Sequence, residues 1–384
     1  MVRFRPTAAF VTAVAAFAFM FAVWHANPTG FDNYVYLADA WTHGRNWIDF
    51  PGDFIDAIPF HGRAYIVEAP MPAILLFPAV LAFGTHANQT LLSNVLGAVA
   101  VFAAWRVCQN AGLRRVPTIA ATAFLFFGTS LFVCATVGDV WFVSHTAAAA
   151  FTLLTLAECF GRRRAWLVAI WAVAAAFSRY PLLAVLPIYL CLLLARDLRK
   201  VTLERFLTPL VPALIAWMLY NYSRWQTLFD PAFSLFYRIM DTRHLAAPDA
   251  FSLDNVPMQT RAFFLSPPIL IPAPPWIVPP YFGFSISFTS APFLYALFAG
   301  ASIDALALWL AALATALPAF AYFDIGGAQY GMRHALDFEP FLFALLVLAL
   351  KRRPSSVAVA ALGIFAAFGA YEGLVWLLAP SLTH

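Results

Sequence analysis

The feature that most constrains this chain is a series of apolar runs, each close to the length needed to cross a lipid bilayer. They fall at about 7–26, 88–107, 116–137, 141–160, 164–178, 181–195, 204–222, 286–300, 303–322, 335–350 and 355–379. A helix rises about 1.5 Å per residue, so about 20 apolar residues span a hydrocarbon core of roughly 30 Å. The sequence therefore predicts an all-α polytopic membrane protein with about eleven transmembrane helices. Composition agrees, because 62% of the 384 residues are hydrophobic and 11% are charged, against roughly 25% charged in a soluble domain. Too few polar residues remain to cover a water-facing surface.

Charge gives the orientation. Arg3 and Arg5 precede the first run, and Arg114 and Arg115 follow the second. Arg162, Arg163 and Arg164 follow the fourth, Arg196, Arg199 and Lys200 the sixth, and Lys351, Arg352 and Arg353 the tenth. All these clusters then fall on one side, which the positive-inside rule makes the cytoplasm. The expectation is a multi-pass bacterial inner-membrane protein with a cytoplasmic N-terminus. The N-terminal run has the basic start of a signal peptide, but it is long enough to span and shows no small-residue cleavage site before Asn27. It reads as an uncleaved first helix. The net charge of +4 is scattered in short clusters rather than gathered in a patch, so no nucleic-acid partner is expected. Cys108, Cys134, Cys159 and Cys191 lie in or beside apolar runs without metal-like spacing and read as packing residues.

The run 70–84 is short and broken by Pro70, Pro72 and Pro78. Counting it as a crossing would invert every later basic cluster, so it reads as a re-entrant or amphipathic piece in the outer interface. One domain, 1–384, then carries two long outward segments, 27–87 and 223–285. The second contains SPPILIPAPPWIVPPYFG, too rich in proline for a helix and too aromatic for a disordered linker. It is expected to pack as a lid over the outer face.

Away from the basic clusters, nearly all ionisable residues map to that outer face. They include Asp32, Asp39, Asp56, Arg63 and Glu68 in the first loop, and Asp139, His145 and Arg179 in the turns. Arg224 and Asp230 follow the seventh run, and Asp324, Arg333, His334, Asp337 and Glu339 surround the start of the tenth. Ionisable groups beside hydrocarbon are costly and mark functional sites. Acids can take a proton and arginines can hold a phosphate, so a lipid-linked phosphate substrate at an outer cavity is implied. No Walker loop, GxGxxG after a strand, or HExxH is present, which excludes the nucleotide, dinucleotide and zinc-protease chemistries those motifs serve.

At these residues the chain resembles the GT-C superfamily of integral-membrane glycosyltransferases, in its protein O-mannosyltransferase-like and aminoarabinose-transferase-like bacterial branch. The resemblance is carried by FDNYVYLADAWTHGR, GRAYIVEAPMPAILLFP, GDVWFVSH, SRYPLL, YNYSRWQTLFDP, FFLSPPILIP, FGFSISFTSAPFLYAL and QYGMRHALDFEPFL, in that order. It implies a GT-C-like bundle with juxtamembrane helices in the first periplasmic loop. It also implies an inverting transfer of a sugar from a polyprenyl-phosphate donor to a lipid, glycan or protein acceptor at the periplasmic face. Asp32 is then the general base, although it stands in FDN where better-known members have paired acids. Asp139 is the second acid, able to position the acceptor or help hold a divalent cation.

Arg179, in the tight turn of SRYPLL, and Arg333 would hold the donor phosphate, with Asp337 a candidate i,i+4 partner for Arg333. Asp39, Arg63, Glu68, His145, Tyr220 and Arg224 complete the candidate substrate-binding set. Their ordinary alternatives are an N-cap for Asp32, pairing of Asp39 with Arg45 or Arg63, a helix-boundary charge pairing with His145 for Asp139, and a packed or capping His145. His43 and His61 are too far apart in sequence to read as a metal pair; no cofactor is specified by the sequence, and a divalent cation stays open. A lipid-sugar flippase, or a non-catalytic subunit of the same fold, is the competing reading, but helix centres carry almost no charge and no internal repeat is visible. Reporter fusions within 27–87 and 223–285 are expected to report the periplasm, and fusions after Arg164 or Arg353 the cytoplasm. A cytoplasmic signal from 27–87 contradicts the topology.

Overall fold

The computed structural model describes residues 6–49, 56–195, 199–239 and 248–379. Its elements are α1 (Pro6–Trp24), α2 (Asn33–Thr42), the hairpin β1 (Ala57–Phe60) and β2 (Arg63–Ile66), and α3 (Met71–Phe83). There follow α4 (Gln89–Ala111), α5 (Arg115–Phe127), α6 (Leu131–Val137), α7 (Val140–Phe160), α8 (Ala165–Ala176), α9 (Leu186–Leu194) and α10 (Lys200–Trp225). The second long segment holds α11 (Ala232–Ile239), α12 (Val256–Thr260) and the short pairing of β3 (Ile269–Leu270) with β4 (Ile277–Val278). The chain closes with α13 (Ile286–Thr289), α14 (Ile303–Ala321), α15 (Glu339–Arg352) and α16 (Ser356–Leu378).

Among the described residues, five helices are long and apolar enough to cross a membrane, or six when α5 and α6 count as one bent span. The remaining apolar runs form shorter helices. The run 286–300 differs from expectation: it forms the four-residue α13 and then a 3-10 segment, Ala291–Ala299. Pro292 lacks the N–H that a continuing helix would need there.

α7 is the axis of the bundle, with 89% of its apolar window buried. Ala147, Ala148, Ala149 and Ala150 are all buried, and such small side chains let neighbouring helix backbones approach closely. On α14, Ile303, Leu306, Leu310, Leu313 and Leu317 are exposed. Their three-and-four spacing puts them on one helix face, which suits contact with lipid.

Polar groups appear where backbone ladders end. The α5–α6 span bends by 56°, and the freed Gly128 carbonyl accepts from Ser290 Oγ at 2.9 Å. In hydrocarbon a lost backbone bond must be replaced in this way. At the far end of α6, α4 supplies the donors: Asn94 Nδ2 to Ala135 O at 2.7 Å, Thr90 Oγ1 to Val137 O at 3.0 Å and Gln89 Nε2 to Gly138 O at 2.8 Å. Gln89 Nε2 also donates to Phe31 O at 3.1 Å, and the Val140 N–H reaches the same oxygen at 2.9 Å. The residues flanking Asp32 and Asp139 are thus tied together.

The two ends of the bundle differ in charge. Arg164 meets Glu158 at 2.8 Å, Tyr295 Oη donates to Arg353 O at 2.6 Å, and the Arg352 side chain lies against Gly300. These basic turns share one end. At the other, the start of α3 is tied to the end of α8 by Met71 N–H to Phe177 O at 2.9 Å.

Helix α16 crosses α5 at a glycine, because a Cβ at Gly369 would lie 1.9 Å from Phe127 O. Gly369→Val is expected to lower stability by about 1–3 kcal/mol or more in thermal unfolding in detergent. Gly363→Ala, with nothing within 4 Å of the new Cβ, should have little effect. Equal midpoints for the two variants contradict the close crossing.

Candidate functional site

A cavity of about 1490 Å³ opens at the end of the bundle away from the basic turns. The first loop contributes Phe31, Asp56 and Glu68; the start of α7 contributes Asp139, Trp141, Ser144 and His145. Arg179 and Tyr180 come from the turn before α9, and Asp324, Gly327, Arg333 and His334 from the loop before α15. An apolar wall faces them, built from Phe233, Phe251, Val256, Phe264, Leu317 and Phe320. The segment 223–285 therefore helps close the cavity, and its wall is aromatic and aliphatic.

The most tightly bound group here is Asp337, which has essentially no exposed surface. Arg179 donates from Nη2 to Oδ2 at 3.0 Å, its Nε lies 3.3 Å from both oxygens, and His145 Nδ1 lies 3.1 Å from Oδ1. Burial alone would raise the Asp337 pKa, but the neighbouring Arg179 and His145 outweigh it and hold the carboxyl below its usual value. A second Arg179 contact, Nη2 to His334 Nδ1 at 3.3 Å, is directional. A guanidinium only donates, so His334 Nδ1 accepts. The sequence expected Asp337 to partner Arg333 four residues earlier. That pairing is corrected, because Arg333–Asp337 is a 3-10 turn, in which residues four apart do not lie over one another.

Arg333 is in the opposite situation. It is 7% exposed and lines the cavity, and Nη1 donates to the neutral Gln329 Oε1 at 2.9 Å. Among the described residues no carboxylate lies within salt-bridge distance of it. Burial lowers its pKa from the ordinary arginine value, partly offset by the more distant Asp324. A buried cation with no counter-charge in contact is costly, and an anionic ligand would supply one.

The acids are spread round the wall. Asp139 accepts from the Thr29 hydroxyl, and burial raises its pKa to about 6. Asp56 accepts from Trp141 Nε1 at 2.5 Å, and burial raises it as well. Glu68 is raised well above its usual value by burial and then by Asp56, and its Oε2 has no hydrogen-bond partner. Asp324 Oδ1 accepts from the Gly326 N–H at 2.9 Å.

Of the residues singled out in the sequence, the cavity brings together Asp139, Arg179, Arg333, Glu68 and His145. Asp32 starts α2 without a side-chain capping bond, and it is not among the lining residues although its neighbour Phe31 is. Asp39 lies 3.8 Å from His43 rather than pairing with Arg45 or Arg63. Arg45 meets Asp49 at 3.1 Å, and Arg63 covers the Trp47 ring at 3.7 Å. Arg224 is buried between Tyr220 and Trp225, donates to Ile66 O and lies 3.8 Å from Asp230. It anchors the hairpin to the end of α10, and neither Arg224 nor Tyr220 lines the cavity. Asp56, Asp324 and His334 were legible only as outer-face ionisable groups. Their lining role depends on folding contacts that no local spacing announces.

His145, His334 and Asp337 can each present one atom within 4.8 Å of the others, a set able to hold a metal ion. Arg179 occupies the same cluster, so a cation there would have to displace its guanidinium from Asp337.

No protein-family model and no curated protein sequence matches the chain. Its fold does match solved structures. One is ArnT from Cupriavidus metallidurans bound to undecaprenyl phosphate, at TM-score 0.55 and 15% identity, covering 93% of this chain and 62% of that one. Another is the Archaeoglobus fulgidus oligosaccharyltransferase in the apo form, at TM-score 0.55 and 14% identity, covering 100% of this chain and 56% of that one. The protein shares the fold of these structures, and it spans less than two thirds of either structure's length.

Removing the Asp337 charge tests the buried network. Asp337→Asn leaves Arg179 without its counter-charge and is expected to cost about 3–5 kcal/mol in thermal unfolding in detergent. Because the folded pKa lies below the unfolded one, this contribution is complete above about pH 4 and disappears as acidification passes the folded value. An unchanged midpoint at neutral pH contradicts the assignment.

Proposed function

We propose that the protein is an inverting glycosyltransferase that takes a sugar from a polyprenyl-phosphate donor within this cavity. The observation that carries the reading is Arg333: a buried guanidinium, held by a neutral amide, on the wall of a cavity that also holds a carboxylate with a raised pKa. The GT-C fold supports it, and ArnT was solved with undecaprenyl phosphate bound. The apolar wall suits the hydrocarbon of such a carrier. The cavity lies opposite the basic turns, which by the positive-inside rule supports a periplasmic site.

The donor is a phosphodiester with one negative charge. Arg333 is the cavity-lining arginine without a carboxylate partner among the described residues, and its single charge matches. Arg179 is assigned a supporting role, since Asp337 already neutralises its charge and engages its Nε and Nη2 donors. The acceptor hydroxyl attacks the anomeric carbon, a C–O bond to the acceptor forms, and the C–O bond to phosphate breaks. The hydroxyl proton passes to a carboxylate. Arg333 stabilises the phosphate as it leaves with added negative charge.

The base role goes to Asp139, which faces the cavity, rather than to Asp32. A carboxylate with a pKa of about 6 is a stronger proton acceptor than an ordinary aspartate and is still ionised at neutral pH. Glu68, Asp56 and Asp324 are then free to meet sugar hydroxyls. The acceptor is a lipid, glycan or peptide reaching the same cavity.

Purified protein should transfer sugar from a polyprenyl-phosphate-sugar panel in detergent. Asp139→Asn is expected to lower turnover about 100-fold or more with carrier binding intact, while Asp32→Asn changes it far less. In the intact enzyme the rate should fall below about pH 6, because protonated Asp139 cannot accept the acceptor proton. Full activity in Asp139→Asn, or uptake of the lipid sugar without chemical change, overturns the reading.

A further inference from the structure

The setting of Arg333 is built from segments far apart in the chain. Phe284 N–H donates to Tyr330 O at 2.9 Å, and Phe284 bridges to Gly331. The end of the proline-rich segment thus clasps the loop before α15. Within the clasp lies Gln329, 1% exposed. Its Nε2 donates to Phe282 O at 2.9 Å and to Ile325 O at 3.0 Å. An amide nitrogen carries two hydrogens, so both are used and the amide has one workable orientation. Oε1 must face the other way, and there it accepts from Arg333 Nη1 at 2.9 Å. Gly326 leaves room for the guanidinium: at its φ of +87°, a Cβ would lie 2.4 Å from Nη1.

The neutrality of this partner matters as much as its position. A carboxylate in its place would accept the same hydrogen bond and cancel the arginine charge, as Asp337 does for Arg179. An amide fixes the guanidinium and leaves the charge to attract an anion.

We propose that Gln329 is a positioning residue of the donor site, aligning Arg333 on the cavity wall while leaving its charge uncancelled for the phosphate of the lipid-linked sugar. This rests on the reading of Arg333 as the phosphate ligand. The test is titration of undecaprenyl phosphate into the purified full chain in detergent, with thermal midpoints measured alongside. The proteins are wild type, Arg333→Gln, Gln329→Glu, Gln329→Met and the double variant Gln329→Met/Arg333→Gln, which adds no charge of its own.

Arg333→Gln is expected to weaken binding about 30-fold or more and Gln329→Glu about tenfold or more. Gln329→Met, which loses hydrogen bonds but adds no charge, should cost only about two- to fourfold at a comparable midpoint. The double variant should bind no worse than Arg333→Gln alone. Equal losses for Gln329→Glu and Gln329→Met, or losses that add in the double variant, overturn the positioning role. If Gln329→Glu does not fold, the double variant decides alone: no further loss beyond Arg333→Gln supports the role, and an added loss overturns it. Unchanged binding in Arg333→Gln removes Arg333 as the phosphate ligand, and the role of Gln329 falls with it.

Discussion

The Asp337 carboxylate, held by Arg179 and His145, is the contact on which the cavity end of the bundle depends. It joins α7, the turn before α9 and the start of α15, three places that no local sequence relation connects. Charge in such a buried place is tolerated only with a partner. Arg179 and Asp337 satisfy one another. Arg333, four residues before Asp337, has no such partner among the described residues and is steadied by an amide instead. The difference separates an arginine that builds the site from one that is available to a ligand.

The membrane fold explains why the site sits where it does. Within hydrocarbon every backbone group must be paired internally, so the chain is helical there and polar side chains appear mainly where helices stop. Those stops gather at two ends. One end is basic and carries Arg164, Lys351, Arg352 and Arg353; the other joins Phe31, Asp139, Arg179 and Asp337 through the ends of α4, α6, α7 and α8. A cavity polar on one side and apolar on the other follows from setting these helix ends against the aromatic segment 223–285. An amphipathic substrate, with a charged head on a hydrocarbon tail, suits such a space.

Much of this was readable in advance. Apolar run length gave the class of fold, and the ordered resemblance pointed to the architecture that the solved structures share. The outer ionisable residues already contained every charged group now found on the cavity wall. Three things were not readable. The run 116–137 looked continuous, because the bend at Gly128 is stabilised by Ser290, 162 residues away. Arg333 and Asp337 looked like a helical pair, because their spacing fits an α-helix and not the 3-10 turn that forms. Arg224 looked like a substrate ligand but is enclosed between Tyr220 and Trp225, a position set by packing of the hairpin on α10.

The most direct measurement is a cryo-electron microscopy structure of the protein in lipid nanodiscs with a polyprenyl phosphate bound. The account predicts the phosphate within about 3 Å of the Arg333 guanidinium, the hydrocarbon along the apolar wall, and Arg179 still paired with Asp337. A phosphate bound elsewhere, or one that draws Arg179 off Asp337 and leaves Arg333 without a ligand, contradicts it.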